Sequence, residues 1–127
     1  GEMARLLGTS TKRVQEVRER CAEELAERTN GVAVLKGACS LIAADMKRYR
    51  CPLGNPYMAT PGSGDVLSGV IASLLAQGYS RLEAASYGVY IHAKAGDAAH
   101  EVSAGPIIAS DITRHLAEVM GGLIKER

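Results

Sequence analysis

Apolar positions recur at steps of three and four over several stretches of the chain, with short continuous runs between them. Val14, Val17, Cys21 and Leu25 form the first stripe. It predicts an amphipathic helix, capped at Ser10 or Thr11 and stopped by Asn30-Gly31. A short helix over Glu2–Leu7, ended by Gly8, precedes it. The opposite face carries Arg13, Glu16, Arg18, Glu19, Arg20, Glu23 and Glu24, a charge run that reads as a solvated face. Val32-Ala33-Val34-Leu35 is apolar on both faces, which predicts a strand buried on both sides, as in a parallel sheet. Ser40–Ala44 and Lys47–Cys51 predict two further strands joined through Asp45-Met46. The second of these alternates, turns Arg48 and Arg50 outward, and reads as an edge.

After a loop over Pro52–Gly62, a helix is expected from Ser63 or Gly64 to Gly78. Val66, Leu67, Val70, Ile71, Leu74 and Leu75 give it the wide stripe of a well-buried helix. Ser80-Arg81-Leu82-Glu83 is a capping-box pattern. The helix that it opens is built of small residues, among them Ala84, Ala85, Gly88, Ala95, Gly96 and Ala99, which let helix axes approach closely. Gly105-Pro106 breaks the chain. Ser110 and Asp111 open a last helix whose apolar positions are Ile112, Leu116, Val119, Met120 and Leu123.

Composition narrows the choice. The chain has 127 residues, enough for one domain and too few for two ordinary ones. A formal charge of +1 provides no basic stripe for nucleic acid, and no apolar run approaches the roughly 20 residues of a membrane span. With five Tyr and no Phe or Trp, the core must come from Leu, Val, Ile and Ala. Three well-separated cysteines, Cys21, Cys39 and Cys51, fit reduced thiols in the cytoplasm better than a disulfide framework or a zinc site. The three histidines are too scattered to make a metal site, and none is expected.

Chemistry concentrates in Gly54–Asp65. A glycine-rich loop entering a helix N-terminus presents unpaired N–H groups and a favourable dipole to an anion. Gly62 and Gly64 let a phosphate approach the backbone. Asp65 has two readings of similar weight: the base of a phosphoryl-transfer enzyme, or a residue that caps the helix or satisfies its dipole. Ser63 is a poor nucleophile, since no histidine has a clear route to it. The loop is neither a Walker A motif nor a nucleophile elbow. Lys36-Gly37-Ala38 ends the apolar strand, where ligands of open α/β sheets bind. Taken alone, Lys36 reads more simply as solvated.

Gly54-Asn55-Pro56-x-Met58-Ala59-Thr60-x-Gly62-Ser63-Gly64-Asp65-Val66-Leu67-Ser68-Gly69 resembles the signature of the ADP/ATP-dependent NAD(P)H-hydrate dehydratases, of the ribokinase-like superfamily. Gly1-Glu2-Met3-Ala4-Arg5-Leu6, Leu35-Lys36-Gly37-Ala38, Gly88-Val89-Tyr90 through Asp97, and Ala109-Ser110-Asp111 resemble further family segments in order. The resemblance implies an α/β, three-layer α/β/α sandwich, with residues 1–127 the C-terminal portion of a single domain. It implies an enzyme that uses ADP or ATP, with Mg2+, to phosphorylate the hydroxyl of hydrated NAD(P)H. Loss of phosphate then restores NAD(P)H. Asp65 would be the base and contact substrate together with Asn55. Gly62, Ser63 and Gly64 would hold phosphates, and Lys36, Gly37, Ala38, Cys39 and Ser40 would line the nucleotide site. Tyr57 and Pro61 stand where the family usually has Gly, and Cys39-Ser40 where it has Gly-Thr. A ribokinase-like kinase and a non-catalytic nucleotide-binding fragment are the alternatives.

The helices outnumber the strands available to cover them. Val66, Val70, Leu74, Ile112, Leu116 and Met120 are therefore expected to form an apolar surface that another part of the domain or another chain covers. A homo-oligomer is one way to meet that need.

Overall fold

The computed structural model describes residues 17–37 and 39–125. The expected helix at Glu2–Leu7, the caps at Ser10 or Thr11, Val14 and Ala38 lie outside them, as does the side chain of Leu123. The chain divides into two compact units, residues 1–50 and 51–127.

In the first unit, helix α1 (Arg18–Thr29) packs on a three-stranded sheet of β1 (Ala33–Leu35), β2 (Leu41–Ala44) and β3 (Lys47–Arg50), in the order β1-β2-β3. The helix stops as its sequence requires. Asn30 takes the left-handed conformation at φ 51°, and the Gly31 amide reaches back to the Ala26 carbonyl at 3.1 Å. Cys21 is buried with Val17, Leu25 and Leu35 against it, but Ala22 and Ala26 extend the stripe and pack on Ala33 and Ala43.

Two sequence expectations fail here. Both strand pairs are antiparallel, and Val34 and Leu35 are only half-buried. A parallel return needs a crossover of a dozen or more residues. The connections in this unit are the short 36–40 turn and the two-residue Asp45-Met46 hairpin, where both residues have positive φ. Edge strand β3 does not point its arginines away. Arg50 pairs opposite Leu41 and Arg48 opposite Ala43, which puts both on the helix side of the sheet. Arg48 meets Glu19 at 3.0 Å and Glu23 at 2.8 Å, and Arg50 also pairs with Glu19. Part of the α1 charge run is thus a clasp across the sheet edge. The i, i+4 spacing of Glu19 and Glu23 aims both carboxylates at one strand.

The second unit is three helices: α2 (Ser63–Ala76), α3 (Arg81–Ser103) and α4 (Ala109–Lys125). Leu74, Ile91, Ile107, Ile112 and Val119 are buried at its centre, with Val66, Val70, Leu116 and Met120 packed against them. Of the six residues expected to form an apolar surface, Leu74 and Ile112 are buried between the three helices, while Val66, Val70, Leu116 and Met120 remain half-buried. The stripe of α2 is less buried than its width suggests: Leu67 and Leu74 are buried, but Leu75 is 43% exposed. Among the described residues no helix is long and apolar enough to cross a membrane.

Close approach of α2 and α3 rests on Gly88. A Cβ there would lie 2.6 Å from Cγ1 of Ile71. Gly88→Ala should cost about 1–3 kcal/mol by overpacking, and Ile71→Ala in the same chain should recover part of the loss in urea unfolding. The α3 capping box forms as predicted: the Glu83 amide donates to Ser80 Oγ, and the Ser80 amide donates to Glu83 Oε1, both at 3.1 Å. These bonds favour the ionised carboxylate, first through the Ser80 amide and then its hydroxyl, and hold the Glu83 pKa below the ordinary value. The associated stability is present above the unfolded-state pKa and is lost as pH falls through the folded one. An NMR titration should find Glu83 titrating below a free glutamate, and Ser80→Ala should move it back up.

Candidate functional site

The Gly54–Asp65 segment is held onto one face of α3. Asn55 donates from Nδ2 to Asp97 Oδ1 at 2.9 Å and to the Gly96 carbonyl at 3.2 Å, and its Oδ1 accepts the Tyr57 amide at 3.1 Å. Asp97 Oδ2 accepts the Gly54 amide at 3.0 Å. Pro56–Met58 forms a single 3-10 turn capped by Asn55. The Met58 side chain fills the space that a Cβ on Gly96 would occupy. Asn55, expected at the substrate, has both amide hydrogens and its oxygen committed to holding this loop.

The loop delivers the chain to α2 through Gly62, the N-cap residue, at φ 88°. That conformation favours glycine, and a Cβ there would come 3.1 Å from Cβ of Ala109. Gly64 lies inside the first turn of α2 with helical backbone. The Ser63 amide bonds the Thr60 carbonyl, and the Val66 amide bonds the Gly62 carbonyl, each at 3.1 Å. This leaves the Gly64 and Asp65 amides without acceptors among the described residues. Two adjacent N–H groups at a helix start, with the helix dipole behind them, make an anion cradle. The Asp65 side chain is exposed, and it makes no capping bond to the Gly62 amide. The capping reading of Asp65 therefore lacks its hydrogen bond, while its place in the first turn of α2 still suits the helix dipole.

Ser63 lies next to a histidine after all. His92 Nε2 is 3.3 Å from Ser63 Oγ and 3.0 Å from the Ser63 carbonyl, with both residues buried. A carbonyl can only accept, so Nε2 carries the proton. It cannot then take a proton from the hydroxyl, and His92 serves to fasten α3 to the start of α2. The contact spans 29 residues, and no local spacing in the sequence announces it.

In the first unit, Lys36 and Gly37 are exposed at the end of β1. The turn that follows is organised by Arg18, which sequence reading left in the charge run. Its Nη2 donates to the carbonyls of Leu35 and Cys39, each at 3.4 Å. Ser40 Oγ donates to the Gly37 carbonyl at 3.4 Å. Cys39 is exposed and sits at φ 56°, a conformation more natural to glycine. An open hollow of about 600 Å³ borders this turn, lined by residues including Arg18, Arg20, Glu23, Cys39, Arg48 and Arg50. Among the described residues no group of three or more His, Cys, Asp or Glu side chains is arranged to hold a metal ion. All three cysteines are free.

The sequence model of NAD(P)H-hydrate dehydratase matches residues 1–118. The chain is 47% identical over 118 residues to the bifunctional NAD(P)H-hydrate repair enzyme Nnr of Coxiella burnetii, covering 91% of this chain and 24% of that protein. It is 45% identical over 105 residues to the ADP-dependent (S)-NAD(P)H-hydrate dehydratase of Neisseria meningitidis, covering 82% of this chain and 35% of that one. The crystal structure of ADP/ATP-dependent NAD(P)H-hydrate dehydratase from Bacillus subtilis, co-crystallised with ATP/Mg2+ and soaked with CoA, superposes with a TM-score of 0.84 at 29% identity. The match covers 95% of this chain and 46% of that one. The chain thus spans about a quarter to a third of these two curated relatives, and just under half of the solved structure.

Gly62→Ala should be strained by its φ and by Ala109, and should destabilise the α2 start by about 1–2 kcal/mol. Thermal unfolding of the two proteins side by side measures it, with Gly69→Ala, where a Cβ meets nothing within 4 Å, as the control.

Proposed function

Because this chain belongs to the NAD(P)H-hydrate dehydratase family, we propose that it carries phosphoryl-transfer groups of an enzyme that repairs hydrated NAD(P)H with ADP or ATP. The observation that carries the reading is the start of α2: two free backbone amides for a phosphate, and beside them a carboxylate that neither caps the helix nor pairs with a cation. A site that only bound anions gains nothing from that negative charge, whereas phosphoryl transfer to an alcohol needs a proton acceptor.

In this reading Asp65 takes the proton of the hydroxyl on the hydrated ring as its oxygen bonds to the transferred phosphorus. The bond from phosphorus to the leaving diphosphate or monophosphate oxygen breaks. Expulsion of phosphate from the carbon, with loss of the neighbouring ring proton, then restores the double bond of NAD(P)H. Gly62, Ser63 and Gly64 form the phosphate-binding start of α2. Asn55 positions the loop. Mg2+ is bound largely by nucleotide phosphates and water and takes few protein ligands. Among the described residues no group of three or more His, Cys, Asp or Glu side chains is arranged to hold such an ion, so it would be carried by the nucleotide, where it would neutralise phosphate charge. In the first unit, Lys36, Gly37, Ala38, Cys39 and Ser40 are assigned to nucleotide contact on the strength of their resemblance to the family segment, and Lys36, Gly37 and Cys39 are exposed. Similarity to the ADP-dependent (S)-NAD(P)H-hydrate dehydratases of Neisseria meningitidis and Cenarchaeum symbiosum supports the substrate class.

Mass spectrometry of hydrated NADH incubated with protein, Mg2+ and ADP or ATP is the direct test. NADH and inorganic phosphate are expected. A stable phosphorylated product would mean a kinase, and nucleotide binding without turnover would mean a binding module. Asp65→Asn should lower turnover by about 10²–10⁴-fold while nucleotide affinity, read by calorimetry, stays level or rises. Full turnover in that variant would remove Asp65 as the base.

A further inference from the structure

The Tyr57 ring stacks on His100 with centroids 4.8 Å apart and an interplanar angle of 26°. Tyr57 is still 45% exposed, so burial alone does not hold the ring in place. His100 Nδ1 lies 2.9 Å from the Gly105 carbonyl and donates to it, since a carbonyl only accepts. Ser103 Oγ donates to the same carbonyl at 3.0 Å. Gly105 belongs to the connection between α3 and α4. That connection leads to Ala109, the residue that stands against Gly62 at the N-cap of α2. The contacts run from Tyr57 through His100 and Gly105 to the two segments that shape the anion cradle. Asn55 and Met58 fasten the loop at Asp97 and Gly96, one turn earlier on the same face of α3. Tyr57 reaches one turn further and is the side chain of the 3-10 turn that meets His100.

We propose that Tyr57 is a positioning residue for the reaction: its stack on His100 sets the Gly54–Gly62 loop and the α3–α4 connection in register, and so holds the loop as the substrate meets it. This rests on the reading above, in which Asp65, just beyond this loop, meets the hydroxyl of hydrated NAD(P)H. Tyr57 is the middle residue of the short turn, whose Met58 amide bonds the Asn55 carbonyl at 3.1 Å and whose Ala59 amide bonds the Pro56 carbonyl at 3.2 Å.

The test is a cycle of Tyr57→Ala, Tyr57→Phe, His100→Asn and the Ala/Asn double variant, the asparagine keeping a donor near the position of Nδ1. Hydrogen exchange of the Met58 and Ala59 amides should quicken about two- to ten-fold in Tyr57→Ala and in His100→Asn. The double variant should go no further than either single, and Tyr57→Phe should match the unmodified protein. With hydrated NADH, KM should rise in the same variants while kcat changes little and Tyr57→Phe is rescued. A merely structural role would lower the folded fraction and leave KM alone. Unchanged exchange in Tyr57→Ala, effects that multiply in the double variant, or faster exchange with an unchanged KM would each overturn the proposal. Absence of turnover in the unmodified protein would instead remove the proposed reaction, and the exchange cycle would still decide whether the latch exists.

Discussion

The second unit depends on the absence of side chains at two positions of α3. Gly88 lets Ile71 of α2 lie against the α3 backbone, and Gly96 gives Met58 its seat. Eight residues apart on one helix, these two gaps hold the buried helix and the loop that leads into it. Dispersion falls off steeply with separation, so a shift outward by the width of a methyl group would forfeit much of the contact along both seams. In a core with no Phe or Trp, closeness replaces bulk. Ala84, Ala95 and Ala99 continue the same strategy in the buried cluster.

That packing has a consequence for chemistry. The start of α2 is a useful anion cradle only if it is fixed, and it is fixed from three sides. The Asn55–Asp97 bonds hold the loop before it, His92 holds the Ser63 carbonyl, and Ala109 stands against Gly62. Each contact comes from α3 or from the chain just beyond it. Near the proposed site, Asn55 and His92 are committed to the scaffold, while Asp65 and the amides of Gly64 and Asp65 have no partner among the described residues. Holding reactive groups by others already satisfied is the division that preorganised sites require.

The first unit follows a different rule. Its helix and sheet meet through alanines, and its edge is clasped by the Arg48 and Arg50 pairs to Glu19 and Glu23. Exposed pairs of this kind each contribute little to stability, but together they select which side of the edge strand faces the helix. Arg18 orders the turn after β1 through two carbonyls. It also borders Gly37, where a Cβ would lie 3.0 Å from its Nη2.

Local patterns carried the elements. The Asn30-Gly31 stop, the Ser80–Glu83 box, the start of α2 after Gly62 and the small-residue face of α3 are set by short-range hydrogen bonds and helical periodicity, so residues within one or two turns suffice to read them. The ordered motifs from Gly54 to Asp65 carried the family for the same reason. Strand direction rests on pairs at most about ten residues apart, while the side taken by Arg48 and Arg50, the approach of His92 to Ser63 and the anchoring of Asn55 depend on contacts 29 to 43 residues apart. No periodicity encodes these contacts. Connection length decided the first, charge pairing the second, and the close packing of α3 the last two. The sequence by itself determined, among the described residues, where α2 and α3 begin, where α1 stops, and which glycine-rich loop runs into a helix N-terminus. Only the tertiary structure decided which polar groups that loop spends on its own support and which it leaves for a ligand, because hydrogen-bond satisfaction belongs to the folded neighbourhood and not to the order of residues.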